Sequence, residues 1–235
     1  RSVKKNFSTG DWLKLVNKKI QEIKKRKKVP IIVGGTGLYF KALTGGLVNI
    51  PNIPMKFRNN VRLLHKNLGP KKFFSKLLKL DPFVKKYLKS SDTQRAIRAF
   101  EIKSFTKKSM YDWFKSTNSK YEDKDFFKLY IDYPREELIN RINMRARNMF
   151  EKGVVLEVKR FIKHKVPSTK TASKAIGLSE INEYLNKKME ISETIEKISI
   201  KTRQYAKRQS TWGRGYMGDW NKIKPTSLNS FLKKI

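Results

Sequence analysis

The first periodic stretch of the chain has the apolar spacing of an α-helix, with Trp12, Val16 and Ile20 on one stripe. A serine followed three residues later by a carboxylate opens this stretch at residues 8–11, which is typical of a helix start. Residues 29–33 then form a short segment without a charged side chain. A helix that leads into such a segment predicts a strand buried on both faces of a parallel sheet.

The second half of the chain repeats this alternation of apolar segment and helix. Residues 127–131 are a second predicted strand, and helical periodicity predicts helices over 135–150, 154–164 and 192–212. The predicted inward stripe of the last helix consists of Ile195, Ile198, Thr202 and Tyr205.

Residues 49–124 have a different character, because prolines separate helical patterns and no strand pattern occurs. We interpret them as an all-helical insertion. The predicted fold class is therefore α/β, with a parallel sheet flanked by helices. Residues 1–48 and 125–235 form this core, and residues 49–124 form the insertion.

The predicted first strand runs into an uncharged Gly-Gly-Thr-Gly turn formed by Gly34, Gly35, Thr36 and Gly37. Glycines at this place allow backbone N–H groups to approach a phosphate or a base, and open α/β sheets bind ligands at this edge. The alternative is a tight turn that needs glycine for its backbone conformation. Thr36 carries the only side chain in the turn that can form a hydrogen bond with a reacting group.

Two pairs of arginines have spacings that place both guanidinium groups on one helix face. Arg95 and Arg98, after Gln94, are three residues apart, and Arg141 and Arg145 are four apart. Both pairs suit phosphate groups, with a solvated basic face as the alternative.

A third basic cluster lies near the end of the chain and mixes cations with amide, hydroxyl and aromatic groups. This mixture fits RNA, whose backbone attracts cations and whose bases stack on rings, although the tryptophan is equally suited to a core. The cluster contains Lys207, Arg208, Gln209, Thr211, Trp212 and Arg214.

Composition narrows the class of partner. The 235 residues include 55 Lys and Arg against 20 Asp and Glu, which gives a net charge of +35. This charge favours a polyanion as the partner, with a lysine-biased genome as the alternative explanation.

The absence of cysteine and the two isolated histidines leave no metal-ligand spacing, so we predict no metal site in this chain. No apolar run approaches the roughly 18 residues that span a bilayer. We therefore expect a cytoplasmic protein without a membrane partner, and a monomer.

Four segments occur in a specific order and spacing: PIIVGGTGLYFKALTGGL, DTQRAIRAFEI, REELINRINMRARNMFEKGVVLEV and TRQYAKRQSTWGR. Together they resemble the tRNA dimethylallyltransferase family over nearly the whole chain. The resemblance implies a P-loop-NTPase-like core with a helical insertion that grips the tRNA anticodon arm. It also implies transfer of a dimethylallyl group from dimethylallyl diphosphate to the N6 amine of the adenosine next to the anticodon, assisted by Mg²⁺.

The resemblance assigns roles to the candidate residues. It places Thr36 at the reacting centre and makes Arg141 and Arg145 ligands of the diphosphate. The residues that it implies as tRNA contacts are Arg58, Gln94, Arg95, Arg98, Lys174, Gly177, Lys207, Arg208, Gln209, Thr211, Trp212 and Arg214.

The sequence also departs from the family pattern. The family begins with a G-x-T-x-x-G-K-S/T loop and an Asp-Ser pair, and neither is present, so we expect the Mg²⁺ ligands to lie outside this chain. We accordingly expect the 235-residue chain to be an incomplete, inactive fragment. Gly213 stands where the family usually has a bulky apolar residue, and we expect it to loosen the helix end that presents Arg214.

Two other functions are compatible with these motifs. One is an adenylate isopentenyltransferase, which makes free cytokinin nucleotides on the same core. The other is a noncatalytic RNA-binding protein. The helical insertion and the basic segment 207–212 favour the tRNA enzyme, because a free nucleotide needs no extended basic platform.

Overall fold

The computed structural model describes residues 2–5 and 7–233, which divide into two compact units. Unit 1 is formed by Arg1–Lys41 and Asp123–Ile235, and unit 2 by Ala42–Glu122. The described residues contain ten α-helices and two β-strands. In chain order these are α1 (Thr9–Lys25), α2 (Gly37–Thr44), α3 (Met55–Leu80), α4 (Thr93–Thr106), α5 (Met110–Lys115), β1 (Leu129–Ile131), α6 (Arg135–Glu151), α7 (Val154–Lys163), α8 (Leu178–Leu185), α9 (Ile191–Tyr216), β2 (Asn221–Ile223) and α10 (Leu228–Leu232).

Unit 2 is built around the packing of α3 against α4. Phe73, Leu77 and Ile102 are fully buried in its core. Gly69, with φ at 71°, breaks α3 into two segments, and Pro70 begins the second one as a first-turn proline can. Every regular element recorded between residues 49 and 122 is helical. The role of this region as an insertion domain stays a prediction.

In unit 1, α6, α7, α8 and α9 enclose a small core that contains Val158, Ile181 and Ile198. The helices predicted over 135–150, 154–164 and 192–212 are confirmed as α6, α7 and α9. One member of the predicted inward stripe is wrong. Tyr205 is 41% exposed, because the core residues of α7 and α8 reach α9 only near Ile195 and Ile198.

The sheet of unit 1 has two parallel strands, and Leu129 pairs with Asn221 at the start of the register. The predicted strand at 127–131 is confirmed in its shorter form, β1. Its partner β2 was not predicted from sequence, because two of its three residues are exposed and polar. The chain therefore has a helix-rich α/β fold with a small parallel sheet.

The predicted buried strand at residues 29–33 is wrong. The segment has no regular secondary structure, and Val29, Ile31 and Val33 are 83%, 82% and 90% exposed. A strand forms only where a neighbour supplies backbone hydrogen bonds, and no segment of residues 2–5 and 7–233 supplies them here. The segment instead borders an apolar groove of about 490 Å³ beside α1.

The expectation that Gly213 loosens the end of α9 is also wrong. The helix continues through Gly213 to Tyr216. Gly213 is buried, and a Cβ atom there would lie 2.7 Å from the ring of Tyr130 on β1. The tyrosine ring therefore occupies the space that a larger side chain would need, and α9 packs closely on the sheet.

This packing predicts opposite effects for the same substitution at two glycines of α9. Gly213→Ala should lower the free energy of unfolding by about 1 kcal/mol or more, because the methyl group meets the ring of Tyr130. Gly215→Ala, which has open space around its Cβ position, should raise it by up to about 1 kcal/mol through helix propensity. Urea denaturation of both variants measures the difference. When Tyr130→Ala is added to both variants, the difference in unfolding free energy between Gly213→Ala and Gly215→Ala should disappear. A difference that persists would contradict the steric explanation.

Candidate nucleic-acid interface

Aromatic packing positions the Gly-Gly-Thr-Gly turn between α1 and α2. The rings of Trp12 and Tyr39 stack with centroids 4.4 Å apart, and this contact joins the two helices. The carbonyl of Thr36 accepts a hydrogen bond of 2.9 Å from the Tyr39 N–H, so the chain enters α2 directly after the turn. Thr36 is exposed, and no hydrogen bond recorded among the described residues engages its hydroxyl. The hydroxyl is thus available to a bound molecule.

Helix α9 holds the turn from the other side. Gln209 Nε2 donates a hydrogen bond of 2.8 Å to the carbonyl of Gly35. The indole of Trp212 lies against Gly37 so closely that a Cβ atom there would overlap the ring. A glycine at position 37 is therefore required for this contact. The structure brings together the predicted turn and part of the predicted C-terminal cluster.

Trp212 supports an exposed ring and does not itself form an open platform. It is half-buried and stacks with Tyr216, with centroids 4.8 Å apart. Tyr216 is 58% exposed, and the ammonium group of Lys41 lies 4.6 Å from the centre of its ring. Our sequence analysis missed Tyr216. Its position four residues after Trp212 on the same helix was the available signal.

Helix α9 also carries exposed cations. Lys207, Arg208 and Arg214 are exposed, and the Arg208 guanidinium lies 5.6 Å from the centre of the Tyr205 ring. Thr211 is different, because its hydroxyl donates a hydrogen bond of 2.9 Å to the carbonyl of Lys207 within the helix. The basic face is available to an anion, while the hydroxyl of Thr211 already has a partner.

Arg141 and Arg145 lie exposed on α6. Arg141 stacks on Tyr133, with its guanidinium carbon 5.2 Å from the centre of that ring. Within the described part of the chain, no recorded hydrogen bond or ion pair joins either arginine to the turn that contains Thr36. Their assignment to the diphosphate stays a prediction.

The segment before α8 is shaped by a buried carboxylate. Lys174 is exposed, but Gly177 is buried with φ at 102°, and its N–H donates to Glu180 Oε2 at 2.9 Å. Glu180 also accepts from the Ser179 hydroxyl and from Lys201. Burial alone would raise the pKa of Glu180, but these donors outweigh it and lower the pKa. Gly177 therefore shapes the loop, and its N–H is not free for RNA.

Another buried carboxylate holds two of the predicted tRNA contacts in unit 2. Glu101 Oε2 accepts from Arg98 at 3.0 Å and from Arg58 at 3.3 Å, and the Glu101 side chain is only 2% exposed. Gln94 and Arg95 are exposed at the start of the same helix, α4. Sequence reasoning missed Glu101. The signal was its spacing of three residues from Arg98, in a chain with few acidic side chains.

The described residues provide neither a metal cluster nor a membrane span. Within residues 2–5 and 7–233, no group of three or more His, Cys, Asp or Glu side chains could hold a metal ion. No helix in that part of the chain is both long enough and apolar enough to cross a bilayer.

Known proteins resemble this chain over most of its length. A family model described as IPP transferase matches residues 1–216. A tRNA dimethylallyltransferase from Pelagibacter ubique (strain HTCC1062) is 54% identical over 229 residues, which cover 97% of this chain and 73% of that protein. A protein of the same name from Agrobacterium fabrum (strain C58) is 39% identical over 221 residues, or 93% of this chain and 74% of that protein.

Solved structures agree with the sequence comparison. A eukaryotic dimethylallyltransferase, described as acting on tRNA, superposes with a TM-score of 0.78 and 25% identity, covering 97% of this chain and 59% of that one. A full-length tRNA isopentenylpyrophosphate transferase from Bacillus halodurans gives a TM-score of 0.61 and 28% identity, covering 95% of this chain and 69% of that one.

The buried Glu180 predicts a pH-dependent contribution to stability. Because its pKa is lowered in the folded state, its contribution is full above the unfolded value of about 4.3 and is lost as pH falls through the folded value. The difference in unfolding free energy between wild type and Glu180→Gln should therefore be largest at neutral pH and shrink below about pH 4. Urea denaturation across this range measures it. Glu183→Gln, at an exposed position of α8, serves as the control, and a similar trend there would contradict the prediction.

The buried Glu101 predicts a loss of stability that an exposed ion pair does not share. Glu101→Gln should lower the free energy of unfolding by about 1–3 kcal/mol, since two partly exposed guanidinium groups lose their common carboxylate. Glu193→Gln breaks the exposed pair with Lys197 and should cost at most about 0.5 kcal/mol. Equal losses in the two variants, measured by urea denaturation, would show that burial of Glu101 is unimportant.

Proposed function

Because the chain belongs to the IPP transferase family, we propose that it transfers a dimethylallyl group from dimethylallyl diphosphate to the adenosine next to the anticodon of tRNA. The relatives named tRNA dimethylallyltransferase support this reaction. The single observation that carries the proposal is the junction of the Gly-Gly-Thr-Gly turn with α9. Gln209 and Trp212 make this junction, so the candidate reacting hydroxyl and a basic, aromatic helix belong to one structure.

The surface of α9 suits the nucleic-acid side of the reaction. Lys207, Arg208 and Arg214 offer cations to phosphate groups, and Tyr216 offers a ring face to a base. A small free nucleotide needs no such extended surface, so this arrangement favours tRNA over an adenylate substrate. The net charge of +35 supports the same choice.

The proposed chemistry is a substitution at the first carbon of the dimethylallyl group. The adenosine amine forms a bond to this carbon while the bond to the diphosphate oxygen breaks, the diphosphate leaves with the electron pair of that bond, and the proton lost by the amine passes to water. We assign Thr36 to a hydrogen bond at the reacting centre, which its exposed hydroxyl supports. It stands at the start of α2, where backbone N–H groups favour negative charge that develops on a leaving group. Arg141 and Arg145 are assigned to the diphosphate, which their exposure on one face of α6 supports.

The proposal extends to the domain roles and the conditions of the reaction. Unit 1 acts as a P-loop-NTPase-like catalytic core and unit 2 as the helical part that grips the anticodon arm. Mg²⁺, when bound, would supply positive charge to the leaving diphosphate, but the described residues do not form a ligand set for it, so no residue is assigned to the ion. The protein works as a cytoplasmic monomer, and its lack of cysteine suits that compartment.

Transfer of label tests the proposed reaction. Labelled dimethylallyl diphosphate, Mg²⁺ and unmodified tRNA are incubated with the 235-residue chain and, in parallel, with the protein made from its whole reading frame. Label in tRNA above the no-enzyme control supports the proposal. Label in free adenylate, or no label in either acceptor with both proteins, would overturn it.

Thr36 provides the sharpest mutational prediction. Thr36→Ala should lower the single-turnover transfer rate of the active protein by about 10- to 1000-fold with little change in tRNA affinity, because a hydrogen bond at the reacting centre acts mainly in the transition state. Thr36→Ser keeps the hydroxyl and should retain most of the rate. If alanine instead costs about 1 kcal/mol of stability and leaves the rate intact, Thr36 only starts a helix.

A further inference from the structure

Unit 2 presents a cluster of exposed aromatic rings that has no assigned role. Phe83, Tyr87 and Phe114 are 42%, 43% and 46% exposed. They surround Tyr111, which is half-buried and stacks on Tyr87 with centroids 4.1 Å apart and ring planes 20° apart. Phe83 packs edge-on to Tyr87 at 5.5 Å, and Phe114 packs edge-on to Tyr111 at 5.6 Å. We call these four side chains, together with Lys86 and Lys115, the aromatic-lysine surface.

The core of unit 2 fixes the exposed rings in place. Val84 and Leu88, which follow Phe83 and Tyr87 directly in the chain, are 0% and 4% exposed. Met110, which precedes Tyr111, is also buried at the start of α5. Phe83, Tyr87 and Tyr111 are therefore each next to a buried neighbour, and these three rings form a prearranged surface against which Phe114 packs.

Cations surround the rings. Lys115 Nζ lies 5.5 Å from the centre of the Phe83 ring, and Lys86 Nζ lies 5.9 Å from that of Tyr87. Burial raises the pKa of Tyr111, and the positive charge of Arg95 opposes this, so the surface lies within electrostatic range of a predicted tRNA contact. Two of the nearby acids are paired, Asp112 with Lys115 at 3.3 Å and Asp92 with Arg95 at 4.0 Å. The third, Asp81, is only 3% exposed and so does not present its carboxylate at the surface.

We propose that the aromatic-lysine surface binds unpaired nucleotides of RNA, with bases stacked on Phe83, Tyr87 and Phe114 and phosphates held by the neighbouring lysines. Every base has a flat face that stacks on a ring, and each phosphate accepts a cation, so this combination suits single-stranded RNA. A protein partner accounts for the rings but not for the lysines, because the centres of protein interfaces are rich in aromatic residues and poor in lysine. The inference rests on the proposed function for its natural ligand, tRNA, and adds to it a stacking contact in unit 2.

The test uses the full 235-residue chain and a fluorescein-labelled oligo-uridine of about 12 nucleotides, a length within the range that single-stranded binding surfaces cover. A blunt RNA duplex of the same length is the second probe. Substitution of Phe83, Tyr87 and Phe114 by leucine keeps apolar side chains but removes the rings. Fluorescence anisotropy should show the affinity for oligo-uridine falling about 5- to 150-fold, and that for the duplex changing less than about twofold.

Matched variants separate stacking from charge. Phe105→Leu, at a 40% exposed phenylalanine of unit 2 that packs edge-on to Phe57, should leave both affinities unchanged. Lys86→Ala with Lys115→Ala should reduce the slope of log affinity against log salt by about 0.7 for each lost phosphate contact. The leucine variants should leave this slope unchanged. Phe114→Leu alone, at the most exposed ring of the three, tests the proposal if the triple variant does not fold.

The outcomes distinguish the inference from the proposed function. Leucine variants that bind oligo-uridine as wild type does, or that lose both probes equally, overturn the stacking surface. Wild-type dimers in light scattering that the leucine variants break would assign the rings to self-association and overturn it as well. The transfer of label to tRNA is measured separately, so the reaction can fail while stacking is confirmed, or the reverse.

Discussion

The close contact between Trp212 and Gly37 is the constraint on which the candidate site depends. Because position 37 has no side chain, the indole of α9 lies directly on the start of α2, and Gln209 binds the neighbouring carbonyl of Gly35. The helix that carries the basic face therefore fixes the turn that carries Thr36. Any side chain at position 37 would meet the indole and displace α9 from the turn that carries the candidate reacting hydroxyl. The same indole supports Tyr216, so one packing contact also sets the position of the exposed ring.

In this chain of 55 basic and 20 acidic side chains, buried carboxylates fix the positions of several cationic side chains. Glu101 is buried and holds Arg58 and Arg98 together, although the two guanidinium groups would otherwise repel. Glu180 has the same role on a smaller scale, since it binds Lys201 and the N–H of Gly177. In both places, cations that face solvent are ordered by a carboxylate that does not, because a charge partner shielded from water interacts more strongly than an exposed one.

The helices were predictable from sequence because their signals are local. The cap formed by Ser8 and Asp11 is present as predicted, and the boundaries of α6 and α7 agree within a residue or two. The lack of a strand at residues 29–33 was not predictable, since the apolar pattern of this segment says nothing about whether a partner strand pairs with it. The candidate residues of the site were recognisable as types, but their contacts were not. Gln209 and Gly35 are 174 positions apart, and only the folded chain brings them together.

In each unit an exposed tyrosine ring stacks on a half-buried aromatic ring and lies near a lysine, and this arrangement has an energetic consequence. Tyr216 stacks on the half-buried Trp212 beneath the ammonium of Lys41, and Tyr87 stacks on the half-buried Tyr111 beside Lys86. A cation over an exposed ring contributes about 0.5–1 kcal/mol, whereas a stacked base contributes about 1–3 kcal/mol. In the proposed complexes, a base therefore displaces the lysine from the ring face at little cost, and the released ammonium is then near the phosphate that the base brings with it. On this proposal, each lysine covers its ring in the free protein, and a nucleotide takes its place in the complex.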